Sequence, residues 1–209
     1  MPSSRRWLTE RLNEPYHRMA KEKGYRSRAA FKLIQLDERF GFLGSAKRIL
    51  DLGSAPGGWL QVASERVGGD GLIVGVDQRP IPPLMLDNVK TIVGDIRDDE
   101  IIKLLCSIFR EGIDVLLSDL SPDVSGVWEV DQSRQIELAK AALRVARRLL
   151  RADGWAVIKV FQGADFEAFI KEMKNSFTYV RVVKPQASRK RSAEAYIVAR
   201  GLRSRDAYS

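Results

Sequence analysis

Cysteine and histidine occur once each in the 209 residues, as Cys106 and His17. A single thiol closes no disulfide within the chain, and a single imidazole supports neither a Cys/His metal site nor a histidine-centred catalytic triad. The chain therefore reads as a protein of a reducing, cytoplasmic compartment with no Cys/His metal site. No uninterrupted apolar run approaches the roughly 20 residues that a membrane-spanning helix needs. Residues 1–11 carry Arg5, Arg6, Glu10 and Arg11 and hold no apolar core of signal-peptide length. No membrane partner is expected.

Positive charge, by contrast, is abundant, with 35 Lys and Arg against 27 Asp and Glu and a net charge of +8. Its distribution is more telling than its size. Residues 1–32 hold nine Lys/Arg against three Glu, and residues 181–209 hold eight against two acids, so each end carries +6 while the body between them carries −4. Basic ends around a mildly acidic body suit a face that meets a polyanion, because phosphate contacts supply most sequence-independent affinity for nucleic acid. At this length, with 44% hydrophobic residues, the chain has enough apolar surface for one buried core. One domain over residues 1–209, with a basic N-terminal extension of about 26 residues and a monomeric state, is the expectation.

From residue 48 onward, short apolar runs alternate with stretches of helical periodicity, the pattern of a doubly wound α/β sheet with helices on both faces. Strands are expected at 48–53, 71–77, 89–95, 114–121, 154–162, 179–184 and 194–200. Helices are expected at 27–40, 59–67, 100–109, 132–150 and 166–177, the last two opened by Asp131 and Asp165 as N-caps. No helical stretch separates the final two strands, so the last is expected to pair antiparallel at one side of an otherwise mostly parallel, seven-stranded sheet.

The strongest local signal is Asp51-Leu-Gly-Ser-Ala-Pro-Gly-Gly-Trp59, a strand running through a glycine-rich turn into a helix. Such a turn lets backbone approach a ligand and leaves helix-start amides free for its negative groups. The glycines Gly53, Gly57 and Gly58 do not follow the G-x-G-x-x-G spacing of dinucleotide binding, which disfavours a nicotinamide-dependent oxidoreductase. Asp77 and Asp95 end the next two strands. A carboxylate at the second strand end suits ribose hydroxyls and one at the third suits an adenine amino group, so the set points to an adenosine ligand.

Among the remaining strands, Lys159 is the anomaly, because an ammonium inside an apolar strand must be paired or must reach water. Asp119, in Ser118-Asp-Leu-Ser-Pro122, Glu194, which opens the last strand, and Lys32, on the first helix, are candidate partners. With Ser27-Arg-Ala-Ala-Phe-Lys-Leu33, Val157-Ile-Lys-Val-Phe-Gln-Gly163, Lys184-Pro-Gln-Ala-Ser-Arg189 and Glu194-Ala-Tyr-Ile-Val198, these segments resemble the FtsJ/RrmJ (RlmE) family of ribose 2′-O-methyltransferases across about residues 16 to 201. The resemblance implies a Rossmann-like class I methyltransferase fold and S-adenosylmethionine as methyl donor. It also implies a catalytic tetrad of Lys32, Asp119, Lys159 and Glu194, and cofactor contacts at Gly57, Trp59, Asp77, Asp95 and Asp119, beside Gly53 and Gly58 of the turn.

The implied reaction is methylation of a ribose 2′-hydroxyl, in a uridine of large-subunit (23S-type) ribosomal RNA by similarity to the compact members, with transfer RNA as the alternative substrate. In that reaction Lys159 acts either as a neutral base or as an ammonium that donates to the 2′-oxygen and steers its lone pair. The cations Arg26, Arg28, Arg189, Lys190 and Arg191 flank the tetrad in sequence and are the candidates for RNA backbone contacts. Tyr25, Trp128 and Tyr196 are candidates for stacking on a splayed base. A non-catalytic RNA-binding protein on the same fold would be expected to lose the tetrad, all four residues of which are present.

Overall fold

The computed structural model describes residues 15–189 and 191–203. Its centre is one seven-stranded sheet in the order β3-β2-β1-β4-β5-β7-β6. The strands are β1 (Arg48–Leu52), β2 (Leu72–Asp77), β3 (Val89–Val93), β4 (Ile113–Ser118), β5 (Leu150–Phe161), β6 (Phe177–Val183) and β7 (Glu194–Leu202). β3, β2, β1, β4 and β5 run parallel, while β7 pairs antiparallel with both β5 and β6. The antiparallel last strand is as expected, but it is inserted between β5 and β6 rather than added at the rim. Its continuously apolar sequence accounts for this: residues 195–199 are all buried, which an interior strand allows and a rim strand does not.

The helices are α1 (Pro15–Glu22), α2 (Ala30–Phe40), α3 (Gly58–Val67), α4 (Asp99–Ile108), α5 (Trp128–Leu149) and α6 (Phe166–Ser176). Ala30, Leu33, Leu36, Trp59 and Leu60 from α2 and α3 cover Ile49, Ile73, Val115, Val157 and Val198 on one face. Leu105, Ile136, Leu143 and Phe169 from α4, α5 and α6 cover Leu50, Leu116, Ile158 and Ile197 on the other. A third, small cluster of Ala20, Phe31 and Ala187 seats the loop before β7 on α1 and α2.

Three local differences from the sequence reading have simple causes. α1 lies within the stretch read as a basic extension; it buries only Ala20, so its apolar periodicity is weak. Residues 1–14 of that stretch lie outside the described residues. α5 begins four residues before the expected start, at Trp128, so Asp131 is no N-cap: its carboxylate accepts from the Ser125 amide and hydroxyl and from the Gly126 amide, tying down the preceding loop. Asp165 does stand at the N-cap of α6, but its side chain makes no capping hydrogen bond. α4, in contrast, is capped in the ordinary way, Asp98 accepting from the Glu100 amide.

The strand order reverses between β1 and β4, which start crossovers in opposite directions. In open α/β sheets the crevice for a ligand opens at that point, beyond the carboxyl ends of the strands. Here it lies between Gly53 and Asp119.

Candidate active site

The glycine turn leaves β1 at Gly53, whose φ of 78° is a left-handed conformation. A Cβ at Gly53 would stand 2.9 Å from the Leu120 backbone, so only glycine lets the turn lie against the chain leaving β4. Asp77 ties the turn to β2: its Oδ2 accepts from the Ala55 amide and its Oδ1 from the Arg79 amide, both at 2.9 Å. A cleft of about 850 Å3 opens there, lined among others by Gly53, Asp77, Asp95, Asp119, Leu120 and Lys159. The two strand-end acids named from the sequence thus share one cavity with half of the expected tetrad.

Gly57, Gly58 and Trp59 do not line that cleft. A Cβ at Gly58 would meet the Ser27 hydroxyl at 2.5 Å, and one at Gly57 would touch the Leu84 side chain. The Trp59 ring is buried, donates from Nε1 to the Ala29 carbonyl at 2.7 Å and packs on the Tyr196 ring. Gly58 and Trp59 thus make room for, and grip, the segment leading into α2. Asp95 is fully engaged: Arg97 grips both of its oxygens and Gln78 donates to Oδ2 at 2.8 Å. The Arg97 hydrogen bonds hold the Asp95 carboxyl below the usual carboxylate range.

Beside the cleft the four tetrad residues meet in one connected cluster. Lys159 Nζ donates to the Asp119 carbonyl at 2.8 Å and pairs with Asp119 Oδ1 at 3.1 Å. The same Oδ1 accepts from the Tyr196 hydroxyl at 2.7 Å, and that hydroxyl accepts from Lys32 Nζ at 3.2 Å. Lys32 Nζ then pairs with Glu194 Oε1 at 2.7 Å, which also accepts from the Ser188 hydroxyl at 2.7 Å. The cluster is built by β7: its antiparallel register sets Tyr196 opposite Lys159 and Glu194 opposite Phe161, while β4 delivers Asp119 and the first turn of α2 delivers Lys32.

Lys32, Lys159 and Glu194 are all buried, which is tolerable because each charge has an opposite partner within hydrogen-bonding reach. Burial pushes the Asp119 carboxyl up, but the Lys159 and Lys32 charges with the Tyr196 and Lys159 hydrogen bonds outweigh it, leaving the group below its ordinary value and ionised. Burial pushes the Tyr196 phenol well above its ordinary range, assisted by the Asp119 and Glu194 charges, so it stays protonated and works as a neutral bridge. Beneath the glycine turn, Asp51 is the opposite case. Both of its oxygens and the Ser54 hydroxyl are buried without a hydrogen-bond partner, and burial together with the Asp119 and Asp77 charges raises its pKa well above the ordinary value.

Two members of the cluster escape the sequence reading. Tyr196, a candidate for base stacking, has a completely buried ring that offers no face to a base; its place two residues after Glu194, on the same side of the strand, is the signal that points to it. Ser188 has no signal beyond its position in Lys184-Pro-Gln-Ala-Ser-Arg189. Tyr25 is also committed, donating to Glu65 at 2.7 Å and meeting Phe31 edge-on.

Of the cations assigned to RNA, Arg26 serves the fold. Its guanidinium donates to the carbonyls of Pro56, Pro82 and Pro83, clamping the glycine turn to the loop after β2. Arg28 is half-buried and near enough for its charge to act on Tyr196. Arg189 and Arg191 are exposed directly beyond Ser188, and Lys190 lies outside the described residues.

The sequence profile of the FtsJ-like methyltransferase family matches residues 25–202. The chain belongs to the FtsJ-like methyltransferase family. Among curated FtsJ-like relatives, the ribosomal RNA large subunit methyltransferase E of Methanococcus vannielii is 43% identical over 196 residues, covering 94% of this chain and 76% of that protein. Its counterpart from Methanothrix thermoacetophila is 46% identical over 189 residues, covering 90% and 72%. A Plasmodium falciparum protein, described with its crystal structure as a ribosomal RNA methyltransferase, superposes with a TM-score of 0.75 at 30% identity, over 85% of this chain and 98% of that one. The seven-stranded sheet with β7 inserted antiparallel is therefore the FtsJ-like methyltransferase fold.

Proposed function

We propose that this chain transfers the methyl group of S-adenosylmethionine to a ribose 2′-hydroxyl of ribosomal RNA, at a uridine of the large-subunit (23S-type) molecule. One observation carries the reading: Lys159 and Asp119 both line the cleft and both belong to the buried cluster that runs on to Lys32 and Glu194. The names of the relatives, ribosomal RNA large subunit methyltransferase E, support the substrate class.

The cleft suits an adenosyl ligand in size and donor set. Asp77 would accept from ribose hydroxyls, Asp95 from an adenine amino group once its Arg97 contact gives way, and the Gly53 turn admits close backbone approach. When bound, S-adenosylmethionine supplies a sulfonium methyl, an electrophile that needs only an aligned nucleophile.

The protein's part is alignment and proton control. Lys159, held by the Asp119 carboxylate and carbonyl, donates to the 2′-oxygen and turns a lone pair toward the cleft. Asp119 stays charged and fixes that ammonium. Tyr196 transmits the position of Asp119 to Lys32, and Lys32 with Glu194 closes the far side against water. The hydroxyl proton is lost late, to solvent at the mouth. Arg189, Lys190 and Arg191 hold the RNA backbone beside Glu194.

The test uses a methyl-labelled donor and RNA from cells lacking the gene. The Lys159→Ala protein should lose transfer by at least about a thousand-fold while binding S-adenosylmethionine within a few-fold of the parent. Retained turnover removes Lys159 from the mechanism, and label recovered on a base instead of a ribose removes the 2′-hydroxyl as acceptor.

A further inference from the structure

Two residues beyond Lys159 in β5 stands Phe161, and the ring of Trp128, the first residue of α5, lies over it with centroids 6.0 Å apart and planes inclined by 22°. Phe161 is half-buried, and Trp128 is 44% exposed. Val124, Val127 and Val130 beside them are exposed as well. Residues 119–133 contain no Lys or Arg, and their exposed charges, Asp123 and Glu129, are negative. The exposed surface of this stretch is thus mainly apolar, with Asp123 and Glu129 as its own charges and the Arg134 cation following at its end. Apolar side chains offer a phosphate no partner, whereas they suit a neutral aromatic ring.

This shelf borders the mouth of the site. At about 3.3 Å per residue, Phe161 is roughly 7 Å along the strand from Lys159 and on the same side of it. Gln135, two turns after Trp128, donates to the Lys159 carbonyl at 3.0 Å and fixes α5 against β5 there. The loop from Asp119 to Trp128 passes along the cleft, which Pro122 and Asp123 line.

We infer that Trp128, backed by Phe161, is a stacking shelf for an unpaired nucleobase of the RNA substrate next to the ribose presented to Lys159, with the phosphates directed to the opposite, cationic side at Arg189 and Arg191. The inference rests on the proposed function, in which RNA is the substrate. Aromatic faces hold splayed bases without regard to sequence, and the preformed stack on Phe161 removes the entropy that a lone mobile indole would lose.

The experiment measures affinity for a single-stranded oligoribonucleotide at several salt concentrations, with melting temperature as control, for the parent and for Trp128→Ala, Trp128→Phe and Trp128→Leu. Trp128→Ala and Trp128→Leu should weaken binding between about 5-fold and 100-fold with an unchanged salt slope, and Trp128→Phe should restore most of it. Parental affinity in Trp128→Ala or in Trp128→Leu overturns the shelf. A parent that is dimeric and becomes monomeric with Trp128→Ala also overturns it, as an interface between copies. A parent that binds no RNA overturns the RNA reading itself, and so the two failures are distinct.

Discussion

The Tyr196 hydroxyl donates to Asp119 Oδ1 at 2.7 Å while accepting from Lys32 at 3.2 Å. One neutral phenol therefore joins the two ion pairs of the site, Lys159–Asp119 and Lys32–Glu194. Tyr196→Phe keeps the ring packed on Trp59 and removes only the bridge. Losing one hydrogen bond to a charged group costs about 1.5–3 kcal/mol. The methylation rate should accordingly fall between about 10-fold and 100-fold, with the affinity for S-adenosylmethionine unchanged by calorimetry. A rate equal to the parent's would show that the pairs act independently of the bridge.

Ser188 is a positioning residue for Glu194. Its backbone is anchored by the Ala187 amide donating to Gln35 Oε1 at 3.0 Å and by Ala187 buried with Phe31, so its hydroxyl reaches Glu194 Oε1 from a fixed direction. Ser188→Ala leaves the Lys32 pair in place but frees Glu194 to rotate. A drop in kcat of about 3-fold to 10-fold, about one ordinary hydrogen bond, should accompany an altered pH–rate profile and should be rescued by Ser188→Thr. An unchanged pH profile would mean that the residue only packs the loop.

Asp51 provides a pH test of stability. Its folded-state pKa lies above the ordinary 3.8, so the unfolded chain gives up this proton at lower pH than the native one. Stability contributed by the protonated group is complete below 3.8 and falls as pH rises toward the native pKa, by about 1.4 kcal/mol per unit. Asp51→Asn mimics the neutral acid and lacks that slope. Denaturant unfolding at pH 5 and pH 7 should show the variant gaining on the parent as pH rises. A parent that gains on the variant would show that Asp51 is charged in the fold.

Arg189 and Arg191 should reveal themselves through salt. Replacing Arg189, Lys190 and Arg191 together by Gln should weaken RNA binding and reduce the slope of log affinity against log salt by about 0.7 for each phosphate that is no longer neutralised. Cofactor binding, on the other side of the cluster, should not change. An identical slope would exclude the loop from the RNA path.

Much of this protein is legible in one dimension because the signals are local. Runs such as Leu72–Asp77 and Ile113–Ser118 are apolar enough to be covered on both faces, and the glycine turn after Asp51 marks the end of β1. The resemblance to a known family names Lys32, Asp119, Lys159 and Glu194, and the structure brings them together. Local signals do not carry register or neighbourhood. Placing β7 between β5 and β6 is a matter of nonlocal pairing, and that placement alone puts Tyr196 against Lys159. Only the packing of the segment before α2 on α3 commits the Trp59 ring to Ala29 and leaves no room for a side chain at Gly58, and only the glycine turn and the loop after β2 together give Arg26 three carbonyls to bind. Residue types and their spacing determined which groups this chain can deploy; contacts between distant segments, such as Lys32 to Tyr196, 164 residues apart, decided which of them meet, because a hydrogen bond depends on distance in space and not along the chain.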